Sequence, residues 1–121
     1  MERVWIGLGA LYGLLAVAIS ALAAHLLAGR VAPAGMALVA TGLRIQGWHA
    51  LALLACGLWA PRGGRLAHAA GAAFAFGAAI FCGTLYGLAL GAGMIAGAAP
   101  VGGTALMAGW VLLGLSALRR R

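Results

Sequence analysis

Four long apolar runs constrain what this chain can fold into. The first covers residues 4–27. As a helix it would be about 36 Å long, which exceeds the ~30 Å hydrocarbon core of a bilayer. Similar runs follow at about 34–60, 66–90 and 101–118. The sequence therefore predicts an all-α fold, a four-transmembrane-helix bundle, in which residues 1–121 form a single integral membrane domain.

The composition indicates that lipid surrounds this fold. Charged residues make up only 7% of the chain and hydrophobic residues 65%, whereas soluble domains contain about 25% charged residues. Such a chain cannot cover itself with a water-compatible surface, so we expect the lipid bilayer to be its partner. The net charge of +7 comes from arginines scattered at the helix ends, which argues against a nucleic-acid partner.

Glycines indicate where the predicted helices can pack closely. Gly9 and Gly13 form a GxxxG pair in the first run, and Gly83, Gly87 and Gly91 repeat at four-residue spacing in the third. Small residues at this spacing allow two helix backbones to approach one another. The glycines of the third run therefore predict the face of closest helix packing.

Arginines are distributed unevenly between the two ends of the predicted bundle. Most lie at the end that holds both termini and the basic connector 61–65, while Arg30 lies at the other end. Cytoplasmic loops of membrane proteins are enriched in Lys and Arg, so both termini are predicted on the cytoplasmic side. Residues 91–103 are predicted to form the last turn, and the arginines 119–121 end the fourth helix.

Polar residues enter the second apolar run at 41–54. Counting helix rise from the cytoplasmic end places His49 about 17 Å deep, near the midplane, with Gln46 at about 21 Å and Arg44 at about 24 Å. Ionisable residues at such depth are candidates for a functional site. His49 and Gln46 share a helix face, and a neutral His49 bonded to Gln46, Thr84 or Thr104 would instead simply lock the bundle.

Other helices place polar groups in the same outer half of the bundle. Thr84 and Tyr86 of the third helix lie about 24 to 30 Å deep, and His25 lies near 31 Å. Arg44 either extends its side chain to the headgroups or contributes to a buried site. His25 fits a satisfied histidine at a helix end as well as a ligand contact. The candidate ligand-binding residues are His49, Gln46, Arg44, Thr84, Tyr86 and His25.

The residue types argue against an enzyme and against a metal or other cofactor. The only acidic residue is Glu2, and no residues form a nucleophile–base pair. His25 and His49 differ by about 14 Å in depth, which is too far for two ligands of one haem iron. Cys56 and Cys82 also lie at different depths, which argues against a disulfide, and the usual Cys/His spacing of zinc sites is missing.

Several motifs in this order resemble a known family. They are Ala24-His25, Thr41-Gly42 with Gln46 and His49-Ala-Leu-Ala-Leu-Leu54, Phe81-Cys-Gly-Thr-Leu-Tyr86, Pro100-Val-Gly-Gly103 and Gly109-Trp110. Together they are similar to the YgdD/YwdK family of small bacterial inner-membrane proteins, a domain of unknown function with mitochondrial relatives. Family members usually have Tyr where this chain has Ile45, and Ser where it has Cys82. The resemblance implies a multi-pass protein of the bacterial inner (plasma) membrane, and it implies no reaction.

Two functional hypotheses follow. The first is an accessory or structural membrane protein that packs through small residues against itself, as a homo-oligomer, or against a larger membrane complex. The second is a small-molecule, quinone or lipid-binding or transport component that uses the outer-half polar cluster.

The central histidine offers a first test of these hypotheses. We expect His49→Leu to leave membrane insertion intact and to alter either stability or partner binding, because the side chain cannot reach water from its depth. The measurements are the melting temperature and the amount of complex recovered. Wild-type values for both would show that His49 matters little.

Overall fold

Three helices make up the computed structural model, which describes residues 1–92 and 97–119. Helix α1 spans Glu2–Leu22 and continues as a π-helical turn at Ala23–Leu27. Helix α2 spans Pro33–Ala89 and α3 spans Ala98–Leu118. Each of the three is long and apolar enough to cross a membrane.

The predicted four-helix bundle is wrong, because the chain stays helical through the connector expected at 61–65. Only Gly64 leaves the helical conformation there, at φ 58° and ψ −143°. Pro61 lies inside α2. The connector contains Pro and two Gly residues, which usually end helices in water. Here the non-helical conformation is confined to Gly64, and helix continues directly before and after it.

Gly64 folds α2 back on itself. A straight 57-residue helix would be about 86 Å long. Instead, the first arm (33–63) and the second arm (65–89) lie against one another, since Cys82 Sγ donates to the carbonyl oxygen of Gly42 at 3.3 Å. The backbone angles of Gly64 belong to a region that other residues rarely adopt. This one glycine therefore sets the direction of the second arm.

Local sequence explains where the helices begin and end. Pro33 starts α2, a position where its missing N–H is not needed. Beyond α2, Gly91 has a φ of 77°, its N–H donates to the carbonyl of Leu88, and the N–H of Ala92 donates to that of Gly87. This left-handed glycine motif satisfies the last carbonyls of the helix.

The turn predicted at 91–103 is shorter than expected, because α3 begins at Ala98. Pro100 lies in the first turn of α3, where proline costs no hydrogen bond. Part of the predicted turn, at 93–96, lies outside the described residues. So do residues 120 and 121 of the predicted basic terminus.

Helices α1 and α3 both pack along the two arms of α2. A Cβ built on Gly9 of α1 would lie 2.8 Å from the carbonyl oxygen of Ala50 in the first arm. The Trp5 indole of α1 covers Gly71 in the second arm. Within residues 1–92 and 97–119, α1 and α3 make no close backbone contact with each other. The arms of α2 therefore form the centre of the molecule.

The closest helix packing occurs at other glycines than predicted. A Cβ on Gly83 or Gly91 would meet no atom within 4 Å, so these two glycines make no close contact with another helix of the chain. The closest approach lies between the second arm and α3, where a Cβ on Gly102 would lie 2.6 Å from the backbone nitrogen of Phe81 and 2.8 Å from the carbonyl oxygen of Gly77. Spacing alone could not identify this contact, because glycines occur on several faces of each helix.

Aromatic rings lie over glycines at three of the helix contacts. Trp5 covers Gly71, Phe74 covers Gly109, and Tyr86 covers Gly42. Phe74 is fully buried and belongs to the core cluster with Leu53, Cys56 and Leu106. Each ring occupies the space that a side chain at its glycine would fill. The aromatic residue therefore packs directly against the backbone of the neighbouring helix.

A pair of glycine substitutions in α3 tests this packing. We expect Gly102→Ala to lower the free energy of unfolding in mixed micelles by about 1–3 kcal/mol, because the new methyl group would press on rigid backbone. Gly114→Ala is the matched control, since nothing lies within 4 Å of its Cβ position. Equal stability of the two variants would contradict the close approach at Gly102.

Candidate functional site

Gln46 is the centre of a hydrogen-bond network that joins α1 to both arms of α2. Its Nε2 donates to the backbone carbonyl of Tyr12 in α1 at 2.9 Å, and its Oε1 accepts from the Tyr86 hydroxyl at 2.8 Å. The Tyr12 hydroxyl donates to the carbonyl of Ala75 at 2.6 Å. The network thus connects α1 with both arms of α2, and we call Tyr12, Gln46 and Tyr86 the tyrosine–glutamine cluster.

His49 lies on the same arm but belongs to a different group. The Trp110 indole of α3 donates to His49 Nε2 at 3.0 Å, and His49 Nδ1 lies 2.6 Å from the carbonyl oxygen of Ile45. The indole can only donate and the carbonyl can only accept. These partners therefore assign His49 as the neutral tautomer with its hydrogen on Nδ1. The ring also packs against Phe74, with centroids 5.4 Å apart.

The partners predicted for His49 are not the ones that the structure shows. Gln46 bonds to the two tyrosines instead. Thr84 is buried, but its hydroxyl donates to the carbonyl of Ile80 one turn earlier. The Thr104 hydroxyl does the same with Pro100. Threonine hydroxyls readily bond within their own helix, which is why depth alone was a poor guide to the partner.

Three of the six candidate residues stand apart from both groups, and one of them is Thr84, whose hydroxyl bonds within its own helix. Arg44 and His25 are exposed on the surface of the molecule. Arg44 therefore fits the alternative in which its side chain extends outward. The structure brings together Gln46 and Tyr86, places His49 with Trp110, and leaves Thr84, Arg44 and His25 outside these contacts.

A second Trp–His pair lies near the kink of α2. The Trp5 indole donates to His68 Nδ1 at 2.8 Å, and the Trp59 indole donates to the Ser116 hydroxyl at 2.9 Å. These bonds attach the start of α1 and the end of α3 to the region around Gly64. His68, which is not one of the six candidate residues, thus has a structural role as the acceptor of the Trp5 indole.

The buried polar side chains of the described residues are hydrogen-bonded to other side chains or to backbone carbonyls. Within residues 1–92 and 97–119, no buried side-chain nitrogen or oxygen lacks a hydrogen-bond partner. The same ranges contain no group of three His, Cys, Asp or Glu residues placed to hold a metal ion. Chemically, the two polar groups are arranged to hold helices together.

Two hollows lie beside the tyrosine–glutamine cluster. The larger one, of about 460 Å³, is lined by Ile19, Leu22, Leu26, Leu27, Arg30, Val39, Tyr86 and Leu90. The smaller one, of about 230 Å³, is lined by Tyr12, Leu15, Ile19, Gln46, Ala78, Ala79, Cys82, Gly83 and Tyr86. Because Ile19 and Tyr86 line both, the hollows adjoin, and we call them together the α1 groove.

Sequence reasoning missed two residues that hold the polar groups together. Tyr12 and Trp110 were not among the candidates, although each carries one polar atom inside an apolar helix. Buried Tyr and Trp usually find a hydrogen-bond partner. These residues were therefore the available signal that acceptors lay on the helices facing them.

Comparison with known proteins places the chain among membrane proteins without an assigned role. A family described as "Protein of unknown function (DUF423)" matches residues 19–103. A UPF0382 membrane protein of Haemophilus influenzae is 35% identical over 92 residues, which cover 76% of this chain and 74% of that protein. No solved structure matches the chain.

The bond between Tyr86 and Gln46 can be measured by a double-mutant cycle. We expect Tyr86→Phe and Gln46→Leu to be coupled by about 0.6–1.7 kcal/mol in unfolding experiments in mixed micelles, the range for hydrogen bonds between membrane helices. Tyr86→Phe combined with Thr104→Val is the control pair, and its coupling should be near zero because Thr104 bonds within α3. Equal coupling in the two cycles would contradict the assigned bond.

Proposed function

We propose that this chain, which belongs to the DUF423 family of proteins of unknown function, is an accessory structural protein of a bacterial inner membrane. It crosses the bilayer several times and packs against copies of itself or against a larger membrane complex. This role involves no enzymatic reaction. The narrower YgdD/YwdK-type assignment is part of the same proposal, supported by the motifs at Gln46, His49 and Tyr86.

One observation carries this proposal. The polar side chains that could have met a substrate are bonded to other parts of the chain, namely Gln46 to Tyr12 and Tyr86, and His49 to Trp110. Side chains that are hydrogen-bonded in this way fix the relative positions of the helices and are not available to react with a substrate. A protein built to present a rigid apolar surface needs this arrangement.

The outer face of α3 suits such a contact. A shallow hollow of about 470 Å³ runs along Pro100, Val101, Thr104, Ala105 and Ala108. Small residues on an exposed helix face let a second helix approach closely, which is the main source of helix association in lipid. We propose this hollow as the place where another helix packs.

A second candidate function is ligand binding, as a small-molecule, quinone or lipid-binding or transport component. The observation that favours it is the α1 groove, which reaches Gln46 and Tyr86 from outside the molecule. In this alternative, the groove takes the place of the His49 site expected from the sequence.

Substitutions on α3 test the accessory role. After gentle extraction into polymer-bounded lipid discs, we expect the wild-type protein to be recovered in particles with more than one protein chain. Ala108→Leu fills the hollow and should weaken this association by about 1–3 kcal/mol, since overfilled contacts cost that much.

The matched control is Ala117→Leu, at an exposed position of the same helix outside the hollow. This variant should associate like the wild type. Wild-type particles that hold a single chain and no other protein would contradict the proposal. Equal association of the two variants would contradict the choice of surface.

A further inference from the structure

We propose that the α1 groove holds one acyl chain of an anionic phospholipid, with the lipid phosphate bound by Arg30. The proposal rests on the second candidate function and names its ligand. Four features of the groove support it: its lining, the position of its only charge, the π-helical turn at its edge, and its depth.

The lining of the groove suits hydrocarbon. Leu22, Leu26 and Leu90 line the larger hollow and are all substantially exposed. In the smaller hollow, the polar atoms of the tyrosine–glutamine cluster are already hydrogen-bonded to each other and to backbone. The cluster therefore presents mainly its ring and methylene surfaces to an occupant. A polar headgroup would find no free partner there, but a hydrocarbon chain needs none.

Arg30 is the one charged residue that lines either hollow. It follows the apolar helix that ends at Leu27, so it lies where hydrocarbon gives way to headgroups. The single acidic side chain of the sequence is Glu2, at the other end of α1. Among residues 1–92 and 97–119, no carboxylate side chain therefore lies near Arg30, and a lipid phosphate matches its planar guanidinium. Basic pockets between membrane helices bind anionic headgroups in this way.

The π-helical turn shapes the wall of the groove. The Ala28 N–H donates to the carbonyl of Ala23, five residues earlier, at 3.1 Å. This spacing brings residues five apart onto one face, so both Leu22 and Leu27 line the hollow. In an uninterrupted α-helix, Leu27 would lie about 140° around the axis from Leu22, at the edge of the face that Ile19, Leu22 and Leu26 share.

The length and volume of the larger hollow suit one acyl chain within a single leaflet. From Leu27 to Ile19 the chain rises about 12 Å, close to half of the ~30 Å hydrocarbon core. Its volume of about 460 Å³ falls within the ~300–1,000 Å³ of typical ligand sites. A chain that enters beside Arg30 would therefore follow α1 as far as Ile19, within the outer half of the bundle.

The headgroup contact can be tested by native mass spectrometry of the purified full chain. The probes are dioleoyl-phosphatidylglycerol and dioleoyl-phosphatidylcholine, which share acyl chains and differ in net charge. We expect a preference of about fivefold for the anionic lipid, as one arginine near a headgroup provides. Arg30→Gln should abolish that preference. Arg44→Gln, at an exposed arginine outside the groove, should keep it.

The chain contact needs its own pair of variants. Leu26→Trp fills the larger hollow and should reduce binding of both lipids at least severalfold. Leu11→Trp, at an exposed leucine of α1 that lines neither hollow, should not. Melting temperatures of all four variants confirm that each is folded before its lipid binding is compared.

Three results would overturn the proposal. One is equal binding of the two lipids by the wild type, and another is a preference that survives Arg30→Gln. The third is binding of free oleate or of a short-chain neutral quinone in the groove without binding of phosphatidylglycerol. Quinone binding that Leu26→Trp removes would keep the ligand-binding function and contradict only the lipid.

Discussion

Polar side chains inside this apolar molecule must find their partners within it, and much of the structure depends on that constraint. Water is not available in the hydrocarbon region, so an unpaired donor or acceptor there costs several kcal/mol. The chain meets the constraint with two groups of bonds, one around Gln46 and one around His49. Together they connect α1, both arms of α2, and α3.

Glycine makes those bonds geometrically possible. Tyr86 reaches Gln46 because its ring lies over Gly42, and Trp5 reaches His68 because its ring lies over Gly71. A side chain at either glycine would push the ring away and separate the bonded atoms. The close packing at glycines and the hydrogen bonds thus depend on one another. Together they hold the helices rigidly inside the lipid-facing surface. This rigidity suits both a surface for helix association and a groove of fixed shape.

The sequence predicted the class of the fold better than its details. Apolar runs and a low charge content indicated membrane-spanning helices, and three helices of that kind are present. The number of helices was wrong because the Pro-Arg-Gly-Gly-Arg segment was expected to end a helix, while only Gly64 leaves the helical conformation. The segment does reverse the chain, as its Pro and Gly residues indicated, but it does so at one residue with helix on both sides.

The candidate site was predicted only in part, for a related reason. Helix rise gave approximate depths in the bilayer, but depth is not burial within the protein: Gln46 and His49 are buried, whereas Arg44, predicted at a similar depth, is exposed. Depth does not give the direction in which a side chain points. Thr84 therefore turned out to bond within its own helix, while Trp110 on α3 became the partner of His49. The rotation of one helix relative to another depends on which glycines form the close contacts. The spacing of glycines in the sequence could not show which of them do.

The tautomer of His49 is the most direct test of this account. The side-chain nitrogen shifts of His49 can be measured by solid-state NMR of labelled protein in lipid bilayers, with the signals assigned by their loss in His49→Gln. If His49 holds helices together, Nδ1 carries the hydrogen and Nε2 is the acceptor of the Trp110 indole. A hydrogen on Nε2, or a doubly protonated ring, would contradict the account.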